Sequence, residues 1–249
     1  YVSFGFKNKS RLSIVLNGSV YTDMIGTRTT YNTKTGAYTY MSDNVHSGNW
    51  TLNPYIVYSG KLDKKGLFGI ETRLSLYYTK STDFDIAYDA DINNAASALS
   101  RVYTSILRDY LRLSFQKGDL SLALVADAQW RNSTSNRDNF HTLNAYDYNY
   151  GMTLSYKLPL GIQLATDLKQ YSRRGYGDKS MNTDDLVWNA SLARSFCKGR
   201  LTLTAEGFDI LHQLSNTTYT VNAQGRTEVW RNTIPNYVMM HVAYKLTKM

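Results

Sequence analysis

Five short turns rich in Lys, Asp and Gly divide the 249-residue chain at intervals of about 40 to 55 residues. They occupy residues 7–10, 63–66, 117–119, 159–161 and 198–200. Between turns the chain runs out as an alternating strand, passes through a polar loop and returns as a second strand. The long loops are predicted at residues 26–47, 81–103, 131–144, 171–185 and 208–234. Tight turns at one end and long loops at the other are typical of an up-and-down transmembrane β-barrel.

The segment 146–158 has the clearest strand pattern, because apolar and polar side chains alternate along it. One face carries tyrosines near both ends and aliphatic residues between them, namely Tyr146, Tyr148, Tyr150, Met152, Leu154, Tyr156 and Leu158. The other face carries Asp147, Asn149, Ser155 and Lys157. Tyrosines that bracket aliphatic residues indicate an aromatic girdle around a lipid-facing band, which a strand of about 9 to 11 residues can cross.

The same period of two recurs along the chain, so we predict a single all-β domain over residues 1–249 with about eleven antiparallel strands. Besides 146–158, the alternating segments are 2–6, 12–24, 50–62, 68–78, 111–115 with its upstream extension, 120–130, 162–170, 188–196, 201–207 and 238–246. Bacterial single-chain barrels have even strand numbers. We therefore expect this chain to be the C-terminal part of a larger barrel, unless its first strand belongs to an even set.

Composition narrows the function classes. The mean hydropathy of -0.40 and the lack of an apolar run near 18 residues exclude a helical membrane protein. The 21 tyrosines suit a boundary between lipid and water, and the three prolines suit paired strands. The net charge of +8 is spread through the chain without a nucleic-acid-binding motif, so nucleic acid is not an expected partner. The single Cys197 excludes an intramolecular disulfide.

Two charged residues interrupt the predicted lipid-facing surface. Arg194 and Asp109 both alternate in phase with the apolar residues of their strands. Arg194 lies four residues before a turn, so its long side chain can reach the headgroups. Asp109 is expected near the opposite rim, and a central position for either residue in the apolar band would contradict the predicted registers.

Eight other charged residues alternate in phase with the polar side chains of their strands. They are Glu71, Arg73, Arg108, Arg112, Asp127, Asp167, Lys169 and Glu206. In a barrel these side chains would point into the lumen, where they must be hydrated or paired. The functional interpretation is a polar lumen that guides a solute or holds a plug. The alternative is a set of charges that only solvates an interior wide enough to hold water.

One loop has the spacing of a calcium site. Asp89, Asp91 and Asn93 match the first three ligand positions of a calcium-binding loop. Asn94 and Ser100 stand where such a loop needs Gly and Glu. An ordinary solvated loop is the alternative interpretation.

The four histidines belong to no recognisable metal or nucleophile motif. His46, His141 and His212 fall near the predicted outer rim, where an outer-membrane hydrolase would place its catalytic groups, and His241 lies in the last strand. Catalysis needs a base, an orienting carboxylate and a nucleophile that converge in space. Glycine-rich phosphate loops and clustered Cys and His are absent from the sequence. We therefore expect no enzyme activity, no cofactor and no metal apart from the calcium candidate.

Two segments near the C-terminus carry a resemblance to a known family. Residues 225–246, GRTEVWRNTIPNYVMMHVAYKL, resemble the closing strand of outer-membrane β-barrels related to the TonB-dependent receptors of Bacteroidetes. Residues 205–211, AEGFDIL, resemble the final upward strand and its Phe-Asp corner, and the Asp-Lys-Lys turn at residue 63 also fits. The chain end departs from the family's assembly signal, because His241 takes the place of a Gly and Leu246 that of an aromatic residue.

The resemblance implies a barrel of about 22 strands with an N-terminal plug and an upstream segment that engages TonB. The plug, the TonB-contacting segment and the earlier strands would be partners outside this sequence, and outer-membrane lipid would surround the wall. The implied function is a receptor or transporter in the bacterial outer membrane that takes up a nutrient or chelate. Its ligand contacts would lie in the long loops.

Three other functions are considered. A structural or secretion-associated outer-membrane barrel would share the architecture without transport. A self-contained ten-stranded hydrolase would depend on His141 or His212. A soluble, Tyr-rich β protein such as a carbohydrate binder would be monodisperse without detergent, whereas an isolated lipid-facing wall would aggregate.

Overall fold

The computed structural model describes residues 1–6, 9–46, 48–89, 98–137, 140–177, 179–214, 217–222, 225–230, 234 and 236–246. The strands are β1 (Val2–Gly5), β2 (Arg11–Val15), β3 (Gly18–Tyr21), β4 (Met24–Asn32), β5 (Tyr38–Val45), β6 (Asn49–Leu52), β7 (Tyr55–Lys61), β8 (Phe68–Phe84), β9 (Ile86–Asp89), β10 (Leu99–Lys117), β11 (Leu120–Ser135), β12 (Leu143–Lys157), β13 (Ile162–Arg174), β14 (Asp184–Phe196), β15 (Leu201–Phe208), β16 (Thr217–Asn222), β17 (Gly225–Trp230) and β18 (Tyr237–Tyr244). Short 3-10 turns occupy Pro159–Gly161, Lys179–Met181 and Cys197–Gly199. Within these residues no helix has the length and apolar character needed to cross a membrane.

One antiparallel sheet dominates the structure. Its main path runs β1-β2-β7-β8-β10-β11-β12-β13-β14-β15-β18, and each strand on it pairs with its neighbours in antiparallel register. β3 and β6 pair with each other beside this path, and β6 also pairs with β8. The predicted all-β antiparallel meander is therefore confirmed, and its eleven main strands agree with the predicted number.

Several predicted loops contain strands. β4 and β5 form a hairpin largely within the predicted loop 26–47, β9 pairs in parallel with β4, and β16 and β17 form a hairpin within 208–234. β4 and β5 contain Thr and Tyr, which favour extended backbone, but polar side chains lie on both of their faces. Alternation of hydropathy therefore does not mark them.

The central strands extend beyond a membrane's thickness. β8 has 17 residues, β10 has 19 and β11 has 16, whereas about 9 to 11 residues cross a bilayer. Residues 99–103, at the end of the predicted loop 81–103, belong to β10 instead. Residues 90–97 of that loop lie outside the described residues.

The turn between β7 and β8 shows how the sequence sets a register. The backbone N–H of Phe68 donates a 2.7 Å hydrogen bond to Asp63 Oδ1, and this bond lowers the pKa of Asp63. Gly66 adopts a φ of +71°, which residues with a side chain rarely adopt. Leu62 N–H then donates to Phe68 O at 2.9 Å, so the turn fixes the first pair of the ladder.

The sheet has an apolar face and a polar face. In β11, Leu124 is 53% exposed on the apolar face, and the adjacent Ala123 is 1% exposed on the polar face. Other exposed residues of the apolar face include Leu74, Leu107, Leu113, Met152, Leu192, Leu203 and Met240. Folding is normally driven by removing such surface from water. A sheet that presents this band on its outside needs an apolar medium or partner around it.

Aromatic side chains border the apolar band at both ends. The turn-end girdle comprises Phe68, Phe115, Tyr156 and Phe196, and the loop-end girdle comprises Tyr78, Trp130, Tyr148 and Trp188. The two girdles enclose residues 68–78 on β8 and residues 188–196 on β14. These lengths equal the roughly 9 to 11 residues that a tilted membrane strand needs.

Both girdles cross the sheet diagonally. Followed from partner to partner across the paired strands, Phe68 of β8 is level with Ala190 of β14. The turn-end girdle residue of β14, Phe196, lies six positions nearer the turn end than Ala190. In the same way, Trp188 of β14 is level with Ile70 of β8. The loop-end girdle residue of β8, Tyr78, lies eight positions nearer the loop end than Ile70. Over five strand-to-strand steps, at ~3.3 Å per residue and ~4.8 Å between strands, these offsets correspond to a strand tilt of about 40–48°.

The two charged residues of the apolar face differ in height. Arg194 lies near the turn end of β14, as predicted, with its guanidinium carbon 4.8 Å from the ring centre of Phe196. Asp109 lies in the middle of β10, between Leu74 and Ala128 of the neighbouring strands. The prediction that Asp109 lies near the rim is wrong, because β10 continues to Leu99. The registers nevertheless place Asp109 in phase with the apolar residues.

Compact packing is concentrated at the loop end. Buried apolar residues there include Val45, Phe84, Ala87 and Val102, which come from β5, β8, β9 and β10. A second cluster comprises Leu143, Ala145, Tyr176 and Met181. The loop end is thus a packed cap on a sheet whose region between the girdles has an exposed apolar face.

Gly151 gives a direct test of the register between β12 and β13. A Cβ at this position would lie 2.1 Å from Leu168 O and 2.7 Å from Lys169 Cα, so backbone must move to admit it. We expect Gly151→Ala to lower the free energy of unfolding by about 1–3 kcal/mol in urea titrations. Gly5→Ala is the control, because nothing lies within 4 Å of its Cβ. Equal stability of the two variants would contradict this register.

Candidate functional site

The polar face carries the eight charged residues singled out from the sequence. Glu71 and Arg73 lie on β8, Arg108 and Arg112 on β10, Asp127 on β11, Asp167 and Lys169 on β13, and Glu206 on β15. We call these residues the charged belt. It contains four basic and four acidic side chains, so it has no net charge.

The strongest pair in the charged belt joins Arg108 to Asp127 of the next strand. Arg108 Nε lies 3.0 Å from each carboxylate oxygen, and Nη2 lies 2.6 Å from Oδ2. Asp127 is 13% exposed and Arg108 is 53% exposed. A bidentate arrangement of this kind fixes both side chains against the wall.

Other acidic members of the charged belt also have partners. Asn189 Nδ2 donates to Asp167 Oδ2 at 3.1 Å, and His241 Nε2 lies 3.1 Å from Glu206 Oε2. His241 comes from β18, so this contact joins the last two strands of the main path through their side chains. The sequence pattern does not reveal either partner, because both pairings depend on cross-strand geometry.

The remaining basic members lie along the same surface. The guanidinium carbon of Arg73 stands 4.2 Å from the ring centre of Tyr55, a cation–π contact. Arg112 is the cross-strand partner of Glu71, and both line a cleft of about 290 Å³ near the turn end. Lys169 lies on β13 two residues from Asp167.

The charged belt has nearly constant height between the two girdles. On β8, Arg73 lies five residues from Phe68 and five from Tyr78. Projected onto β10 through the registers, Arg73 of β8 is level with Tyr110 and Glu206 of β15 is level with Gln116. The two ends of the belt thus differ by six residues over the six strand-to-strand steps from β8 to β15. This descent of about one residue per strand gives a slope of roughly 35°, close to that of the girdles. The belt therefore follows the middle of the band that the girdles enclose.

Residues of several strands on the polar face enclose common clefts. One cleft of about 360 Å³ is lined by residues from Arg112 of β10 to Glu206 of β15, with Thr153, Asp167 and Ser191 between them. Six consecutive strands of the main path, from β10 to β15, therefore contribute to one cleft. Small hydroxyl side chains between the charges leave room for water or a polar guest.

A second cleft opens nearer the loop end, and we call it the loop-end cleft. Its volume is about 450 Å³, and its lining includes Arg108, Asp127, Gln129, Asp147, Asn149, Tyr171, Arg173 and Asp185. The Arg108–Asp127 pair thus contributes to both the charged belt and the loop-end cleft. Planar amides and carboxylates beside a tyrosine ring can bind a polar solute by hydrogen bonds.

The segment after β13 folds against the polar face beside this cleft. Tyr176 Oη lies 2.8 Å from both carboxylate oxygens of Asp147. Met181 is fully buried beside Leu143 and Ala145. Burial raises the pKa of Tyr176 strongly, and the hydrogen bond to Asp147 raises it further. Asp147 thus lines the loop-end cleft and also anchors this segment to the sheet.

The calcium candidate cannot be located. Asp91 and Asn93 lie outside the described residues, as does the side chain of Asp89. Across the part of the chain that the structure describes, no three His, Cys, Asp or Glu side chains are grouped to hold a metal ion.

The loop-end histidines occupy separate environments. His46 Nδ1 lies 2.5 Å from Asp23 Oδ1, and both side chains are mostly exposed. His141 lies just before β12, and His212 follows β15 with a φ of +56°. His46 is the one loop-end histidine with a carboxylate partner among the described residues. Because both side chains are exposed to water, the His46–Asp23 pair lacks the desolvated cleft in which a substrate would be held.

Tyr176 provides a test of the loop-end packing. We expect Tyr176→Phe to raise the rate of proteolysis within residues 175–183 at least tenfold, because a hydrogen bond to a carboxylate contributes ~1.5–3 kcal/mol. Tyr146→Phe, on the apolar face, is the control. In the wild type the segment stays protected up to about pH 10, the ordinary pKa of tyrosine, and the stabilisation is lost progressively above that pH, because the pKa of Tyr176 is raised in the folded state. Opening well below pH 10 would contradict the contact.

Comparisons of this chain with protein-family models, curated proteins and solved structures find no match. The interpretation of the site therefore depends on its own geometry. That geometry consists of an exposed apolar face, two sloping aromatic girdles and a charge-balanced belt at mid-height on the opposite face.

Proposed function

We propose that this chain forms part of the wall of a bacterial outer-membrane β-barrel that takes up a small polar solute, a nutrient or a chelate. The observation that carries the proposal is the shared slope of three features. The two girdles on the apolar face and the charged belt on the polar face cross the strands at about 35–48°, and transmembrane barrel strands tilt by about 35–45°.

The apolar face supports contact with lipid. Aliphatic side chains predominate in the span between the girdles, and rings of Tyr, Trp and Phe border it, as expected at membrane interfaces. Arg194 lies beside the turn-end girdle, where its side chain reaches the headgroup level. In water the same band would be a large aggregation-prone surface.

The polar face supports a hydrated interior. Charged side chains at the middle of the membrane are tolerated where they face water or a polar body and pair with one another. The Arg108–Asp127 pair and the Glu206–His241 contact follow this rule. Ser and Thr side chains keep the surface between them open, so a polar solute or a protein plug can occupy the interior.

The resemblance in residues 205–211 and 225–246 extends the proposal to a receptor energised through TonB. In that arrangement a plug outside this sequence closes the lumen, and the plug-bearing part of the protein engages TonB. The loop-end cleft, above the Arg108–Asp127 pair, is the surface where a solute first meets the wall.

Membrane topology is tested by labelling in intact cells. Single cysteines are introduced at Thr35, between β4 and β5, and at Asp119, in a tight turn, after Cys197 is replaced by Ser. We expect a membrane-impermeant maleimide to label position 35 at least tenfold faster than position 119, and lysis to equalise the rates. Equal labelling before lysis would contradict the proposed orientation.

Uptake is tested by deleting the gene in its host and measuring accumulation of isotope-labelled sugars, peptides, metals and metal chelates. We expect the deletion to lower the uptake rate of one class at least tenfold, with rescue by the wild-type gene. The Asp167→Lys, Glu206→Lys variant should rescue poorly, because it gives the neutral belt a net charge of about +4. Lys65→Glu, in an exposed turn, is the matched control. Unchanged uptake of every solute would favour a structural or secretion-associated barrel instead.

A further inference from the structure

We propose that the apolar face carries a docking site for another membrane-spanning protein segment, one that brings a lysine or arginine to Asp109. The proposal rests on the proposed function, because it requires this face to lie in a bilayer. The site comprises Asp109 and a shallow notch floored by Ala126 and Ala128, which we call the Asp109 notch.

The registers define the Asp109 notch. Asp109 of β10 is level with Ala128 of β11, and Ala128 is level with Tyr148 of β12. Ala126 lies two residues away on the same face, and both alanines are exposed. Two small side chains between larger ones form a depression that lets another backbone approach closely.

The sheet gives Asp109 only a weak hydrogen bond among the described residues. Within the described residues its hydrogen-bond donor is Thr72 Oγ1, at the long distance of 3.5 Å. Leu107 and Leu111 flank it along β10, and Leu74 lies across from it. Asp109 stands four positions below Tyr78 in the register of β8 and two below Trp130 in that of β11, so it lies inside the band between the girdles, toward its loop-end border.

A carboxylate in that position needs a partner of opposite charge. An ionised group in hydrocarbon is unfavourable unless it is paired, and ionisable residues at membrane depth usually mark contacts or pathways. The polar face cannot supply the partner, because the side chain of Asp109 projects from the opposite side of the wall. A membrane-spanning segment with a lysine or arginine supplies the charge and leaves the backbone of this wall undisturbed.

An apolar groove beside the Asp109 notch gives the same segment a second contact. The groove has a volume of about 430 Å³ and is lined by Leu124, Tyr150, Met152, Leu168, Gln170 and Leu186. Tyr150 is level with Ala126, so the groove and the notch adjoin across β11 and β12. A partner that places its cation at Asp109 can lay apolar side chains along this groove.

The test uses the full-length protein in lipid vesicles with a donor dye on exposed Cys197. The probes are two acceptor-labelled Leu/Ala helices of about 20 residues with identical ends, one with a central Lys and one with a central Leu. We expect energy transfer to show that the Lys peptide binds at least tenfold more tightly. Asp109→Asn and Ala128→Trp should each reduce this preference below twofold. Leu192→Trp, on the same face but distant from the notch, should keep it.

Two results would overturn the inference. One is equal binding of the two peptides to the wild type, and the other is a Lys preference that survives Asp109→Asn. Transfer between copies of the protein, without a peptide preference, would assign the notch to a second copy and also overturn it. Quenching of Trp130 and Trp188 by brominated lipid in the same vesicles separates the two proposals. Without quenching the proposed membrane location fails, whereas quenching without a Lys preference refutes only the docking site.

Discussion

The antiparallel backbone ladder is the interaction on which the rest of the structure depends. Eleven main strands pair with their sequence or spatial neighbours, so the backbone N–H and C=O groups between adjacent strands are satisfied without water. Once the ladder is fixed, the period of two sends alternate side chains to opposite faces. A register shift of one residue would exchange the apolar band with the charged belt. Tight turns such as the one held by Asp63 therefore protect function as well as fold.

The two faces are coupled through strand tilt. The girdles border a band of constant thickness only because each strand is displaced relative to the next, and the charged belt follows the same displacement. Arg73 thus lies midway between Phe68 and Tyr78, although it faces the other side of the wall. Charges at this height are compatible with a membrane only if they face a hydrated or protein-filled interior, which links the proposed location to the proposed uptake of a polar solute.

The sequence predicts the strand segments between the girdles well, because one rule of alternation governs them. Segments such as 120–130 and 146–158 need no tertiary information. The loop end follows other rules: β4 and β5 carry polar side chains on both faces, β9 pairs in parallel with β4, and Tyr176 reaches Asp147 only after two strands and a turn are assembled. Likewise, the alternation predicts that Asp109 lies on the apolar face, but it does not predict how far Asp109 lies from the end of its strand. That distance depends on how far β10 continues toward the loop end.

The most direct measurement of the central claim is spin-label accessibility along β11 in lipid bilayers. Labels are placed one at a time at residues 120–130, and collision rates are measured with oxygen, which concentrates in lipid, and with a water-soluble nickel chelate. The structure predicts oxygen maxima at even-numbered residues such as 124 and chelate maxima at odd-numbered residues such as 127, with a period of two. Equal exposure of both sets to the chelate, or a period near 3.6, would contradict a wall with lipid on one side and a polar interior on the other.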